Sequence, residues 1–347
     1  MMGGAVAVEQ SSALPVKEID CYGAKGQVSA AVIASSEPVV LRNLVSHWKL
    51  VARGAEGQQA FADYLLSTYN DRPVMTYSAP AKERGRYFYR DDFRSFNFTK
   101  QGDTLAGFFA RLSASARDPE ADSIFIPSMH LPSFVPAVMQ ENVVQIDGVD
   151  TPLVQAWLGS PSLIACHFDA MHNIACCVAG KRRFTLFPPE QAENLYIGPL
   201  DNTPAGQPVS VVDIHNPDFD RFPRFADAQA HKRVIELEPG DALFLPSMWW
   251  HQVEGLAPFN GMVNYWWRST PAYCGDPMDA LTHAMLSIRQ LPEAERAAWR
   301  SLFEHYVFTS QDGRYDHIPQ PALGRLGPFC EREARRLRSI LLNQLNC

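Results

Sequence analysis

The chain has 347 residues, 46% of them hydrophobic and 20% charged, the balance of a globular protein able to bury a full core. The formal net charge is −7, which leaves no broad basic face for phosphate contacts, so no nucleic-acid partner is expected. No apolar run approaches the roughly 18 residues that a membrane-spanning helix needs, so no membrane association is expected either.

The opening stretch "MMGGAVAVEQSS" has no basic segment ahead of an apolar run, and no secretory signal is expected from it. Residues 1–36 read as an N-terminal extension. Residues 30–42, "AAVIASSEPVVLR", read as a short helix or strand, a turn at Pro38 and then a strand. "GQQAFADYLLSTY" (57–69) and "DTLAGFFARLSASA" (103–116) space their apolar residues at helical intervals. Residues 76–98 are aromatic and charged and read as a strand-and-loop region. From about 153 the pattern changes. "SLIACHF", "IACCVAG", "RFTLFPP", "RVIELEPGDALFLP" and "GMVNYWW" are short β-branched and aromatic runs bounded by Gly and Pro. Such runs predict an antiparallel all-β unit, a sandwich or a barrel. Pro239-Gly240-Asp241 supplies turn chemistry between two of them. Residues 198–231 form a long Pro- and Asp-rich insertion, and long loops inside a domain are usually functional. After 270, three segments return to helical spacing: 277–291, 293–308 and 330–345. The expected organisation is therefore an extension over 1–36, a mainly β domain over 37–270 with flanking helices, and a C-terminal helical region over 271–347.

Seven cysteines, an odd number with no CxxC pair, suit free thiols in a reducing cytoplasm, the expected location. Cys176 and Cys177 read as strand residues, one of them in the core.

The stretch "HFDAMHN" (167–173) concentrates potential metal ligands. In a strand, residues i and i+2 face the same way, so His167 and Asp169 aim together while Phe168 enters the opposite layer. His172 falls on the other face from His167. With ten His and 38 acidic residues, one His-x-Asp/Glu is expected about once by chance, so the pair alone is a weak signal. A third ligand is available in His251, within "PSMWWHQVEG", 82 residues beyond Asp169 and directly after the Pro-Gly-Asp hairpin. Two histidines and one carboxylate on facing strands leave three open positions, the arrangement suited to non-haem Fe(II). A closed structural zinc site would offer four protein ligands.

These motifs in this order carry a resemblance. "HFDAMHNIACCVAGKRRFTLFPPEQAENLY", "VDIHNPDFDRFPRF", "PGDALFLPSMWWHQVEG" and "VNYWW", with the entry segment "EPVVLRNLVSHW", resemble the JmjC/cupin-like 2-oxoglutarate oxygenases over roughly residues 37–268. The similarity is greatest to the asparaginyl hydroxylase of hypoxia-inducible factor and its bacterial relatives. The resemblance implies a double-stranded β-helix (jelly-roll) core, Fe(II) held by His167, Asp169 and His251, and 2-oxoglutarate as co-substrate. It implies hydroxylation of a protein side chain or a small metabolite. It further implies that Asn173 and Asn264 order the co-substrate or the iron-bound water, and that the helical tail can form a homodimer.

Three positions depart from the family pattern. Arg182 stands where a Lys commonly holds the distal carboxylate; a guanidinium can do so through two parallel hydrogen bonds. A register slip would bring Lys181 there, but strand alternation faces it the wrong way. Phe125 in "SIFIP" stands where a Tyr is expected, and Ile164 where a Thr is expected, so the carboxylate pocket is built differently or prefers another 2-oxo acid. Ser162 or a nearby Tyr is a possible source of the missing donor. In the insertion, Pro208 and Val209 replace polar residues that grip a peptide in the relative, so that substrate does not transfer. Trp250 and Trp266 line or support the pocket, or are core aromatics. Two other readings stay open: a non-catalytic cupin-like module binding a metal or small acid, and a non-oxidative metalloenzyme on the same ligands.

Overall fold

The computed structural model describes residues 13–118, 120–309 and 312–345. The chain divides into two units, one ending at Trp267 and the other beginning at Arg268. In chain order the first unit runs β1 (Lys17–Asp20), β2 (Gln27–Val28), α1 (Ala30–Ile33), β3 (Val39–Arg42), α2 (Lys49–Glu56), α3 (Gln58–Leu66), β4 (Val74–Ala79), β5 (Arg86–Tyr87) and β6 (Thr99–Asp103). It continues with α4 (Leu105–Ser115), β7 (Ser123–His130), α5 (Leu131–Phe134), α6 (Val138–Glu141), β8 (Gln145–Ile146), β9 (Leu153–Gly159), β10 (Ser162–His167), β11 (His172–Ala179) and β12 (Arg182–Phe187). It closes with α7 (Phe225–Ala230), β13 (Arg233–Leu237), β14 (Ala242–Leu245), β15 (Trp250–Gly255) and β16 (Asn260–Trp267).

Two sheets make the jelly-roll core. Nine strands pair in the order β1-β3-β14-β11-β16-β9-β7-β4-β6, and five in the order β13-β12-β15-β10-β5. β1, from the N-terminal extension, adds to the larger sheet in parallel beside β3. Alternation along β11 explains its nearly continuous apolar sequence. Ile174, Cys176 and Val178 join the core beneath the helices, while Ala175 and Cys177 join the layer formed with Phe184, Leu186, Ile235 and Val253 of the smaller sheet. A strand covered on both faces has no solvent side to keep polar. Both Cys176 and Cys177 are therefore buried, not one of the two as expected.

The Pro-Gly-Asp turn also has a geometric cause. Gly240 adopts φ +104, and a Cβ there would sit 3.1 Å from Ser46 Cα. The turn docks on the entry segment through Val45 N–H donating to Gly240 O at 2.9 Å. Arg42 and the Asn43 amide both donate to the Asp241 carboxylate.

The second unit contains α8 (Pro277–Ser287), α9 (Glu293–Phe303) and α10 (Glu331–Leu345). α8 opens on Asp276, whose carboxylate accepts from Met278 N–H. Among the described residues no helix is long and apolar enough to cross a membrane.

Candidate metal centre

β10 and β15 bring the two distant histidines together. The strands pair antiparallel with His167 opposite His251, and the register shifts between Ile164 and His167. Such an irregularity re-aims a strand's last side chain. The imidazole centroids lie 4.3 Å apart. β10 ends at His167, so Asp169 is presented by the turn that follows and not by the strand itself. Met248 N–H holds that turn by donating to Asp169 O at 2.8 Å. One ligand atom from each of His167, Asp169 and His251 falls within 4.8 Å of the other two. His251 Nε2 is 3.7 Å from Asp169 Oδ2.

The hydrogen bonds fix which nitrogen faces the centre. His167 Nδ1 is 2.8 Å from Ala165 O and His251 Nδ1 is 2.9 Å from Trp249 O. A carbonyl only accepts, so each ring has a proton on Nδ1, which makes Nε2 the nitrogen available to a metal. Burial and the neighbouring His167 depress the His251 pKa to about 4, with Asp169 opposing. The ring is thus neutral at physiological pH, the state that can ligate. Two imidazole nitrogens and one carboxylate oxygen, aimed together into a cavity, fit a divalent transition metal held from one side.

The cavity has a volume of about 460 Å³. All three ligands line it, and so do Asn173, Arg182, Asn264 and Phe125. Asn264 donates to Asn173 Oδ1 at 2.9 Å, leaving the Asn264 Oδ1 buried and unpaired. Arg182 is the first residue of β12. Its neighbours Lys181 and Arg183 turn outward to Glu236, while Arg182 turns inward. Its guanidinium makes one long bond, 3.4 Å to Trp157 O, and its Nε is buried without a partner. No carboxylate among the described residues pairs with it. Burial lowers its pKa to about 10, so it stays charged in an apolar wall, a costly state that an anion would relieve.

A nearby tyrosine, expected from the sequence without a position, brings a hydroxyl beside Phe125. Tyr87 lies on β5, opposite Ile164 of β10, and its ring meets Phe125 edge-on at 4.5 Å. It lines the same cavity, and its hydroxyl is buried without a hydrogen bond. Ser123 is near enough to favour the phenolate slightly, but its own hydroxyl turns to Ala79 O. Burial dominates and pushes the Tyr87 pKa up, so the phenol stays protonated and can donate. Gly85, at φ +74, lets β5 reach β10: a Cβ there would lie 2.4 Å from Pro161 O. Ser162 and Ile164 line the cavity too.

Other expected residues sort clearly. Trp266 lines the cavity, whereas Trp250 packs on Phe168 at 5.0 Å as a core aromatic. His172 packs beside both Phe244 and Trp267, and its Nδ1 accepts from Ser247 N–H. From the insertion, Thr203–Gln207 covers part of the cavity, while Val209 is buried and bridges to His167.

The cupin-like domain model matches residues 25–273. The chain belongs to the cupin-like family. Its relatives in that family include the mouse tRNA wybutosine-synthesizing protein 5, 31% identical over 163 residues, which is 43% of this chain and 46% of that protein. The Drosophila melanogaster Jumonji C domain-containing protein 5 is 27% identical over 242 residues, 67% of this chain and 55% of the relative. Human HSPB1-associated protein 1 is 34% identical over 148 residues, 41% of this chain and 29% of the relative. The chain thus spans about half or less of these cupin-like relatives. The motifs of residues 37–268 and the family match point to one and the same cupin-like, JmjC-type domain.

Proposed function

We propose that this chain is an Fe(II)- and 2-oxoglutarate-dependent oxygenase that hydroxylates a protein side chain or a small metabolite. The observation carrying the reading is the pairing of two features in one cavity. A two-histidine, one-carboxylate cluster presents its Nε2 atoms, and beside it a buried arginine has an unpaired Nε and no carboxylate partner, and a buried tyrosine has an unpaired hydroxyl.

His167, Asp169 and His251 would hold the iron, and Arg182 with Tyr87 would hold the distal carboxylate of 2-oxoglutarate. Bound there, the pair supplies oxygen activation coupled to oxidative decarboxylation, giving succinate and CO2. The chain's own contribution is orientation and electrostatics. The Ala165 and Trp249 carbonyls fix the imidazole tautomers. Asn264 and Asn173 keep each other's amides oriented, with the Asn264 oxygen left for a bound water or ligand. The aromatic walls exclude water, which strengthens the contact between Arg182 and a carboxylate. The substrate is not carried over from the relatives, since the chain spans so little of them.

The test is an anaerobic Fe(II) titration followed by admission of oxygen with 2-oxoglutarate. Expected are one iron per chain and oxygen-dependent succinate. Absence of both 2-oxoglutarate binding and succinate release rejects the reading. Stoichiometric iron binding retained in the His167→Ala, His251→Ala double variant rejects the ligand assignment.

A further inference from the structure

The cavity is larger than the co-substrate alone requires, and its outer half has a composition of its own. Volumes of roughly 300–1,000 Å³ accommodate drug-sized ligands, and this cavity, at about 460 Å³, has room for a second small molecule or a side chain beside a five-carbon diacid.

Its floor is a continuous run of rings across four strands of the larger sheet and the segment that leads into β6. Phe96 stacks on Phe98 at 5.0 Å and Phe98 on Tyr77 at 4.9 Å. Tyr77 meets Phe125 edge-on at 5.5 Å, Phe125 stacks on Trp157 at 6.5 Å, and Trp157 meets Trp266 edge-on at 6.0 Å. The pairing of β4, β7, β9 and β16 lines up Tyr77, Phe125, Trp157 and Trp266, and Phe96 and Phe98 join from the segment before β6. Tyr77 stands opposite Lys100 on one side and opposite Phe125 on the other, so all three face the same way. Tyr77, Phe125, Trp157 and Trp266 open directly onto the cavity.

A cation closes the outer end of this floor. Lys100 lines the cavity, and its ammonium lies 5.0 Å from the centroids of both Tyr77 and Phe96 and 5.8 Å from that of Phe98. The rings fix its position and strip part of its water. No carboxylate among the described residues is within ion-pair distance of it. Gln155, opposite Asn264, and Gln207 from the insertion also line the cavity, and neither amide has a hydrogen-bond partner among the described residues. The cavity therefore has a cation at each of two sites, Arg182 and Lys100, and neither is neutralised from within. One is taken up by the co-substrate in the reading above. The other has no role in it.

We propose that the primary substrate presents a flat aromatic or unsaturated group carrying an anionic substituent. The flat group lies on the ring floor, and the anion meets the Lys100 ammonium. Gln155 and Gln207 offer amides to polar atoms on the rim of the same group. The proposal rests on the oxygenase reading only in assigning the Arg182 site to the co-substrate.

The experiment compares naphthalene-2-carboxylate with naphthalene-2-carboxamide, two probes of the same shape and different charge. Binding to the Mn(II)-loaded full chain is followed by quenching of tryptophan fluorescence, with and without saturating 2-oxoglutarate. A charge-assisted contact predicts that the carboxylate binds about tenfold tighter than the amide. The preference persists under saturating 2-oxoglutarate, is lost in Lys100→Gln and is kept in Lys100→Arg. Lys100 is exposed on an edge strand, and a melting curve checks that its variants fold. Equal affinity for the two probes overturns the proposal, as does an unchanged preference in Lys100→Gln. Loss of the preference on adding 2-oxoglutarate also overturns it, because the probe was then at Arg182. 2-Oxoglutarate binding to the unmodified chain is titrated separately. Its failure counts against the oxygenase reading, while the Lys100 comparison without 2-oxoglutarate still decides this proposal.

Discussion

Replacing Arg182 with methionine should stabilise the empty protein while removing its response to 2-oxoglutarate. The guanidinium is enclosed, with one 3.4 Å contact to Trp157 O and an unpaired Nε. Burial lowers its pKa from 12.5 to about 10, and at 1.36 kcal/mol per unit that corresponds to about 3 kcal/mol of disfavour for the charged form. At pH 7 both the folded and the unfolded chain keep the proton, so this cost is present in full and does not vary with pH there. Methionine keeps much of the apolar stem and removes the charge. For a unit of this size a gain of about 3 kcal/mol corresponds to a rise in Tm of about 5–10 °C. In the unmodified chain with metal, 2-oxoglutarate at about 100 times its Kd should return about 2.7 kcal/mol; in Arg182→Met it should return almost nothing. Thermal unfolding of both proteins, with Mn(II) and with or without 2-oxoglutarate, measures all four values. If Arg182→Met melts below the unmodified chain without ligand, the guanidinium is compensated internally and is not a vacant anion site. If 2-oxoglutarate stabilises both proteins equally, the assignment of Arg182 to the co-substrate is wrong.

Tyr87→Phe should weaken 2-oxoglutarate binding about 10- to 100-fold, the value of one hydrogen bond to a charged group. Its Tm should not fall, because the hydroxyl has no partner to lose; unchanged affinity by titration calorimetry removes Tyr87 from the site. His215 ties the insertion to β15 through Glu254, at 3.2 Å, and this hydrogen bond raises its pKa against the opposing effect of burial, with Asp213 adding to the rise and Arg183 reducing it. A raised folded pKa stabilises below the unfolded value and is lost as pH climbs through the folded one. The unmodified chain should therefore exceed His215→Gln in Tm by more at pH 6 than at pH 8, and an equal or reversed difference refutes the coupling. In the C-terminal unit α8 and α9 have no buried residues, and Leu302, Val307, Phe308 and Leu342 are exposed. We expect self-association through these helices; light scattering should give a dimer for the full chain and a monomer for Leu302→Glu with Leu342→Glu, and a monomeric unmodified chain removes the expectation.

The parts of the site that were legible in the sequence are those fixed by local period and by order. His167 was marked by a histidine at the end of an apolar run, and His251 by its place after a Pro-Gly-Asp turn whose glycine needs φ +104. Arg182 was marked by the family resemblance, with alternation setting Lys181 aside, and the outward Lys181 and Arg183 show that alternation at work. Tyr87 was not legible for the converse reason. Its strand has two residues, too few to carry a period, and only pairing with β10 from Gly85 onward brings its ring against Phe125. Asp169 shows the same limit in milder form. The i, i+2 rule pointed to a residue that the structure brings beside both histidines, but the strand stops at His167, and the turn that carries Asp169 is held by a backbone hydrogen bond from Met248, 79 residues further along. Lys100 is the extreme case, because a lysine after "FNFT" reads as an ordinary edge charge. Its significance lies in three strand pairings that line up rings from Tyr77 to Trp266, beside its own pairing with Tyr77, a non-local arrangement that no window of the sequence contains. In the proposed function, metal ligation would be carried by residues with strong local signatures. Recognition of the two proposed organic ligands would be carried by residues whose neighbours are set by sheet order, so substitutions at Tyr87 and Lys100 are where the proposed chemistry would be altered with the candidate ligand cluster left in place.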